Sequence, residues 1–282
     1  MAELVASVGM FAATIPRSAA AVATLYDSEL ARGKVDPMNP VATVITSVWH
    51  RQQDKESLLQ GHMANLRRQT VPCRAIYVFD AADSPPVWLE GTKITISEPI
   101  TLYQAWNIAL ANVMTPFVMN LNVDDRLAPD AVEVMVKALD RDPDTFLVGG
   151  DWKVCFSEAE TDDVRPVYPI AELPYASEWP PVPGRLRRLG SGDQPQATHG
   201  PACMWRLEAH RRMPRYPYRF ADGSFIRIIG DAIWWHAIEH YMGKKILRLP
   251  LIIGNYRSAP STQAEFRYSA GEELRKQDIS LL

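Results

Sequence analysis

The stretch Pro116-Phe-Val-Met-Asn-Leu-Asn-Val-Asp-Asp-Arg-Leu-Ala-Pro-Asp130 decides the fold. Phe117, Val118, Met119 and Leu121 read as a short buried strand. Asn122, Asp124 and Asp125 stand at its carboxyl end, where ligands of open α/β sheets collect. Pro129 suits the first turn of a helix, and Val132, Met135, Val136 and Leu139 come after it at helical spacing. Two adjacent carboxylates at a strand end are hard oxygen ligands of the kind Mg²⁺ or Mn²⁺ takes, usually shared with a substrate's phosphates. An acidic turn that caps the next helix explains the same residues equally well.

Outward from this stretch, strand and helix signals alternate. Val41–Thr46 is a β-branched run, followed by a polar turn over 47–55 and a helical stripe of Leu58, Leu59, His62 and Leu66. Arg74–Phe79 is a second strand closed by Asp80 and Asp83, and Lys93–Ile96 is a third. Leu102, Ala105, Trp106 and Ala109 mark the helix before the acidic strand. This alternation predicts an α/β fold with a mostly parallel central sheet flanked by helices on both faces. No Gly-x-Gly-x-x-Gly follows a strand and no phosphate-binding Gly-x₄-Gly-Lys-Ser/Thr occurs, nor His-Glu-x-x-His, nor Gly-x-Ser-x-Gly.

Several of these segments, taken in order, resemble family 2 glycosyltransferases of the GT-A fold. Val44–Arg51 is similar to that family's first strand and turn, and Gln69-Thr-Val-Pro72 to its Gln-Thr-x-Pro. Leu102–Ala109 resembles its Tyr-x-Ala-x-Asn-x-Gly helix. Leu121–Asp125 resembles its Leu-Asp-x-Asp-Asp, with Asn122 in place of the first aspartate. Ile76–Asp83 matches loosely, with Phe79 where the base-reading aspartate belongs and Asp80 as the nearest carboxylate. Gly230-Asp231-x-x-x-Trp235 keeps the aspartate and tryptophan of Glu-Asp-x-x-x-Trp but not the glutamate. Tyr256-Arg257 resembles the pair that ends the family's catalytic core.

The resemblance implies a nucleotide-diphospho-sugar transferase that inverts the anomeric centre. Its donor would be a UDP-sugar by default, with GDP and dTDP as alternatives, and its acceptor the hydroxyl of a glycan, polysaccharide or lipid-linked sugar. Carried over residue by residue, Asp124 and Asp125 hold Mn²⁺ or Mg²⁺, and Asp231 is the general base. Ser47, Trp49, Arg51, Asp80, Tyr103, Asn107, Asn122 and Arg257 face the donor. Trp152, His199, Trp205 and Trp235 face the acceptor. Asn122 brings no charge, so weaker metal binding is expected than at a full Asp-x-Asp site. Asp231 also stands where a helix N-cap belongs, and the two roles are compatible.

Composition agrees. The 282 residues are 47% apolar and 22% charged, with a formal net charge of −3, so no global basic surplus points to nucleic acid. Cys73, Cys155 and Cys203 have no paired spacing and read as free thiols of a reducing compartment. No apolar run reaches the ~18 residues that span a bilayer, so a cytoplasmic protein is expected, or one peripheral at the inner face of the membrane. Residues 1–40 read as an N-terminal extension that covers a face of the core or mediates association. Residues 41–257 read as the catalytic domain, its donor half 41–125 and acceptor half 126–257, and 258–282 as a lid or tail. Val148–Trp152 reads as a strand leaving the sheet edge, and the proline- and aromatic-rich stretch after it as acceptor-shaping loop. His236 and His240, four apart on one helix, form a second metal-ligand candidate. Two rival readings stand beside this one: a sugar-phosphate nucleotidyltransferase, disfavoured by the absence of glycine from Thr46–Arg51, and an inactive scaffold that binds a glycan or partner.

Overall fold

The computed structural model describes residues 40–175, 180, 182, 188–189, 201–260, 263, 266–267 and 272–273. The expectations for the N-terminal extension and for His199 lie outside them. Strand β1 (Ala42–Val48) is almost wholly buried, as a β-branched run between two neighbours should be. It pairs in parallel with β2 (Cys73–Phe79) and with β4 (Phe117–Asn120). Strand β2 in turn pairs in parallel with β3 (Thr92–Thr95). The order β3-β2-β1-β4 reverses direction at β1. The crevice beyond the carboxyl ends of β1 and β4 is therefore the switch point at which such sheets bind ligands.

Two crossover helices cover opposite faces of this half. Helix α1 (Lys55–Arg67) packs Leu58 and Leu59 against Val48, Tyr77 and Phe79. Helix α2 (Leu102–Leu110) opens with a capping box between Thr101 and Gln104 and packs on Ile45, Ile76 and Val78. Residues 76 to 79 alternate between the two packings, as the two-residue period of a strand requires.

The second half is mixed. Strand β9 (Cys203–Arg206) runs antiparallel to β4 and to β6 (Thr145–Cys155), and β6 pairs in parallel with β10 (Lys245–Arg257). Strand β6 thus lies inside the sheet rather than leaving its edge, with ten of its 11 residues buried. The two-residue strands β5 (Arg126–Leu127), β7 (Tyr168–Pro169) and β8 (Arg188–Leu189) attach to β10 and β6. Helix α3 (Ala131–Arg141) begins after Asp130, which leaves Pro129 one residue outside it. Short helices α4 (Glu158–Asp162) and α5 (Leu207–His210) come next. Helix α6 (Gly230–His236) continues as a π-helical turn over Ala237–Tyr241.

Candidate active site

Strand β4 delivers Asp124 and Asp125 to the switch point. Asp125 is fully buried. Its Oδ1 accepts the Arg257 backbone N–H at 2.9 Å and its Oδ2 the Asn122 amide at 3.2 Å. Burial, and then the charge of Asp124, push its carboxyl well above the ordinary range. Asp125 is thus turned inward to tie the end of β4 to the end of β10, away from the metal role expected of it. Asn122 is drawn into the same tie. Asp124 is only partly buried, and its Oδ2 accepts Nε2–H of Gln263 at 2.5 Å. The same Gln263 nitrogen donates to the Arg257 carbonyl at 2.7 Å. Burial raises the Asp124 pKa, while Arg126 and Arg257 pull it back.

Among the described residues no group of three metal-ligating side chains occurs. A divalent cation nonetheless fits beside Asp124, whose hydrogen-bond partner is a neutral amide. Mg²⁺ and Mn²⁺ commonly take one or two carboxylates and fill the remaining positions with substrate phosphate and water.

The start of α6 supplies the second carboxylate. The N-cap is Ile229, so Asp231 lies inside the first turn rather than at the cap. Its Oδ1 accepts Ala232 N–H at 2.8 Å and lies 3.4 Å from the Tyr103 hydroxyl, which donates to Ile228 O at 2.7 Å. Burial lifts the Asp231 pKa from 3.8 to about 6, against hydrogen bonds that lower it. A Cβ on Gly230 would stand 2.6 Å from the Tyr103 ring and 2.8 Å from Pro217 O. The glutamate that the family carries there has no room because Tyr103 fills the space. From the C-terminal segment, Glu273 accepts the backbone N–H groups of Arg227, Ile228 and Ile229 at 2.9, 3.0 and 3.2 Å. It holds the loop that leads into Asp231.

Beyond β1 and β2, Trp49 is 41% exposed and Arg51 is exposed, while Ser47 on β1 is partly buried. Asp80 is buried, and both its oxygens lie 3.0 Å from Nδ1 of His50; Oδ1 also accepts the His50 backbone N–H at 2.7 Å. Ala81 and Ala82 hold φ of 54° and 59°, the left-handed region that favours glycine. Their N–H groups are tied to Glu98 O and Ile96 O at 3.1 and 2.8 Å. Arg257 has an Nη1 with no hydrogen bond, 3.7 Å from Glu158.

Four expected substrate contacts are redirected into the core. The Asn107 amide is spent on the backbone of Tyr216, donating at 2.9 Å and accepting at 3.0 Å. Trp152 and Trp205 are fully buried and Trp235 is 7% exposed, so none offers a face to a sugar ring. Trp205 packs instead on Trp234 and Tyr216, at 5.3 and 6.1 Å between ring centroids. The rings of His236 and His240 stack at 4.3 Å with no third ligand among the described residues. His50, Gln263 and Glu273 are the polar groups that sequence patterns missed, because each is defined by a partner distant in the chain.

Residues 94–214 match the family described as Glycosyl transferase family 2. The chain carries a family 2 glycosyltransferase segment on a GT-A fold. S. aureus TarS 1–349 in complex with UDP is similar at 12% identity and TM-score 0.52, over 78% of this chain and 61% of that one. The same protein in complex with UDP-GlcNAc is similar at 12% identity and TM-score 0.51, over 81% and 61%. The mannosyltransferase PcManGT from Pyrobaculum calidifontis, in complex with GDP-Man and Mn²⁺, is similar at 17% identity and TM-score 0.46, over 76% and 56%. The chain therefore spans about 60% of the length of the solved structures it matches. No curated protein matches it significantly. No described helix is long and apolar enough to cross a membrane.

Proposed function

We propose that this glycosyltransferase segment moves a sugar from a nucleotide-diphosphate donor to a carbohydrate hydroxyl, with inversion at the anomeric carbon. The observation that carries the reading is Asp231, a carboxylate held at the cleft by Ala232 N–H and the Tyr103 hydroxyl, with its pKa lifted to about 6. A general base works best when its pKa lies near the operating pH. The acceptor oxygen bonds to the anomeric carbon as the bond to the diphosphate breaks, and Asp231 takes the acceptor's proton. Arg257, whose Nη1 has no hydrogen bond, faces the growing charge of the leaving diphosphate. A Mn²⁺ or Mg²⁺ ion on Asp124 would supply further stabilisation of that charge.

Calorimetry tests the donor half of the reading. With Mn²⁺ present, the wild type is expected to bind UDP, GDP or dTDP, and Asp124→Ala to lose that metal-dependent binding. Equal affinity in the mutant would remove Asp124 from the metal. Binding without transfer or donor hydrolysis would favour the scaffold reading.

A further inference from the structure

We propose that His50, fixed by Asp80, reads the ring N–H of the donor's nucleobase, so that the donor carries uracil, thymine or guanine rather than cytosine or adenine. The inference rests on the transferase reading above and adds the substrate's base class. Both Asp80 oxygens lie 3.0 Å from Nδ1 of His50, and Asp80 accepts the His50 backbone N–H as well. A carboxylate accepts and does not donate, so Nδ1 carries the proton and Nε2 keeps its lone pair. The ring is 23% exposed in its side chain, and Nε2 has no hydrogen-bond partner among the described residues. It is an acceptor awaiting a donor.

The mounting is rigid. Lys55 clamps the turn from below, donating to His50 O at 3.1 Å and to Asp83 at 2.5 Å. On the other side, Ala81 and Ala82 hold left-handed backbone at a cost of order 1–2 kcal/mol each, which persists only where surroundings enforce it. Trp49, 41% exposed, stands edge-on to the imidazole at 5.7 Å and offers an aromatic wall beside it.

Topology assigns this corner to the base. Asp124, the phosphate end, follows β4; His50 follows β1 and Asp80 follows β2, in the order β2-β1-β4. Neighbouring strands are ~4.8 Å apart, so two spacings give about 10 Å, room for a ribose between diphosphate and base. Asp80 does not read the base directly, because its oxygens are committed to His50. Uracil and thymine offer N3–H and guanine N1–H to the Nε2 lone pair. Cytosine and adenine present a ring nitrogen lone pair there, which repels it.

Ligand methylation tests this without altering the protein. Calorimetry in Mn²⁺ compares UDP with N3-methyl-UDP and GDP with N1-methyl-GDP, and the pair with the tighter parent decides. Methylation should weaken binding about tenfold or more, the value of one unmade hydrogen bond. The variant His50→Phe keeps a ring but no lone pair, and should bind parent and methylated nucleotide alike. Equal binding of both by the wild type overturns the inference and leaves the transferase reading standing. A methylation penalty that persists in His50→Phe assigns base reading to another group and also overturns it. Failure of every nucleoside diphosphate to bind the folded wild type sinks the transferase reading itself, and this inference with it.

Discussion

Asp231 is held between two demands. Burial favours its neutral form, and catalysis requires the charged one. With the folded pKa raised from 3.8 to about 6, the stability tied to this group is fully present below about pH 4 and is lost as pH rises through about 6. Activity should run the other way, rising through an inflection near pH 6 as the base ionises. Asp231→Asn keeps an oxygen for Ala232 N–H and removes the buried charge. We expect transfer to fall by a factor of order 10²–10⁴ with that inflection abolished, while Tm at pH 8 is unchanged or higher. A pH–rate profile beside a melting curve checks both, and normal transfer by the variant would remove the base. Asp231 was legible in the sequence because a carboxylate near a helix start is a local pattern. The missing glutamate at Gly230 was legible only as a departure. Its reason, the Tyr103 ring packed against that glycine, needs a contact across 127 residues of chain.

At the level of elements, the C-terminal segment reaches both walls of the cleft. Gln263 bonds Asp124, and Glu273 bonds the loop before α6. The Gln263 amide occupies the Asp124 oxygen that a cation would take. Gln263→Ala should therefore tighten Mn²⁺ binding several-fold, read by the loss of the free Mn²⁺ resonance signal on titration. Weaker binding would mean that Gln263 supports the site instead of covering it. Sequence periodicity predicted α1, α2 and β1 to β4 within one or two residues, because each has a buried stripe of its own. It misplaced β6 as an edge strand, since Val148-Gly-Gly-Asp-Trp152 carries two glycines and a charge that weaken a strand signal. In the fold, Asp151 is buried between Arg188 and Arg248, so the charge marks an internal ion pair and not an edge.

Across the whole molecule, the aromatic residues divide between core and cleft in a way composition does not reveal. Trp106, Trp205, Tyr216 and Trp234 form one cluster that joins α2, β9 and α6, with Tyr216 and Trp234 only 4.4 Å apart between ring centroids. Trp205→Ala should cost about 3–5 kcal/mol of stability, as large-to-small changes in a packed core do. Nucleotide affinity should survive at temperatures where the variant stays folded. An unchanged Tm with a raised acceptor KM would return Trp205 to the acceptor site. A tryptophan has the same face for a sugar ring as for a neighbouring indole, so its identity cannot say which it meets.

By itself the sequence determined the features that local periodicity and charge dictate. These are the alternating strands and helices, the carboxylates at the end of β4, the carboxylate at the start of α6, and the absence of a bilayer-spanning run. Each depends on residues near one another in the chain. Only the tertiary structure decided which polar groups remain free for a ligand. Asp124 and Asp125 are neighbours of one type, yet the fold turns Asp125 onto the Arg257 backbone and leaves Asp124 facing Gln263. Asp80 likewise became a support for His50. A buried polar group must find a partner, and that partner comes from whichever distant segment the sheet order brings beside it.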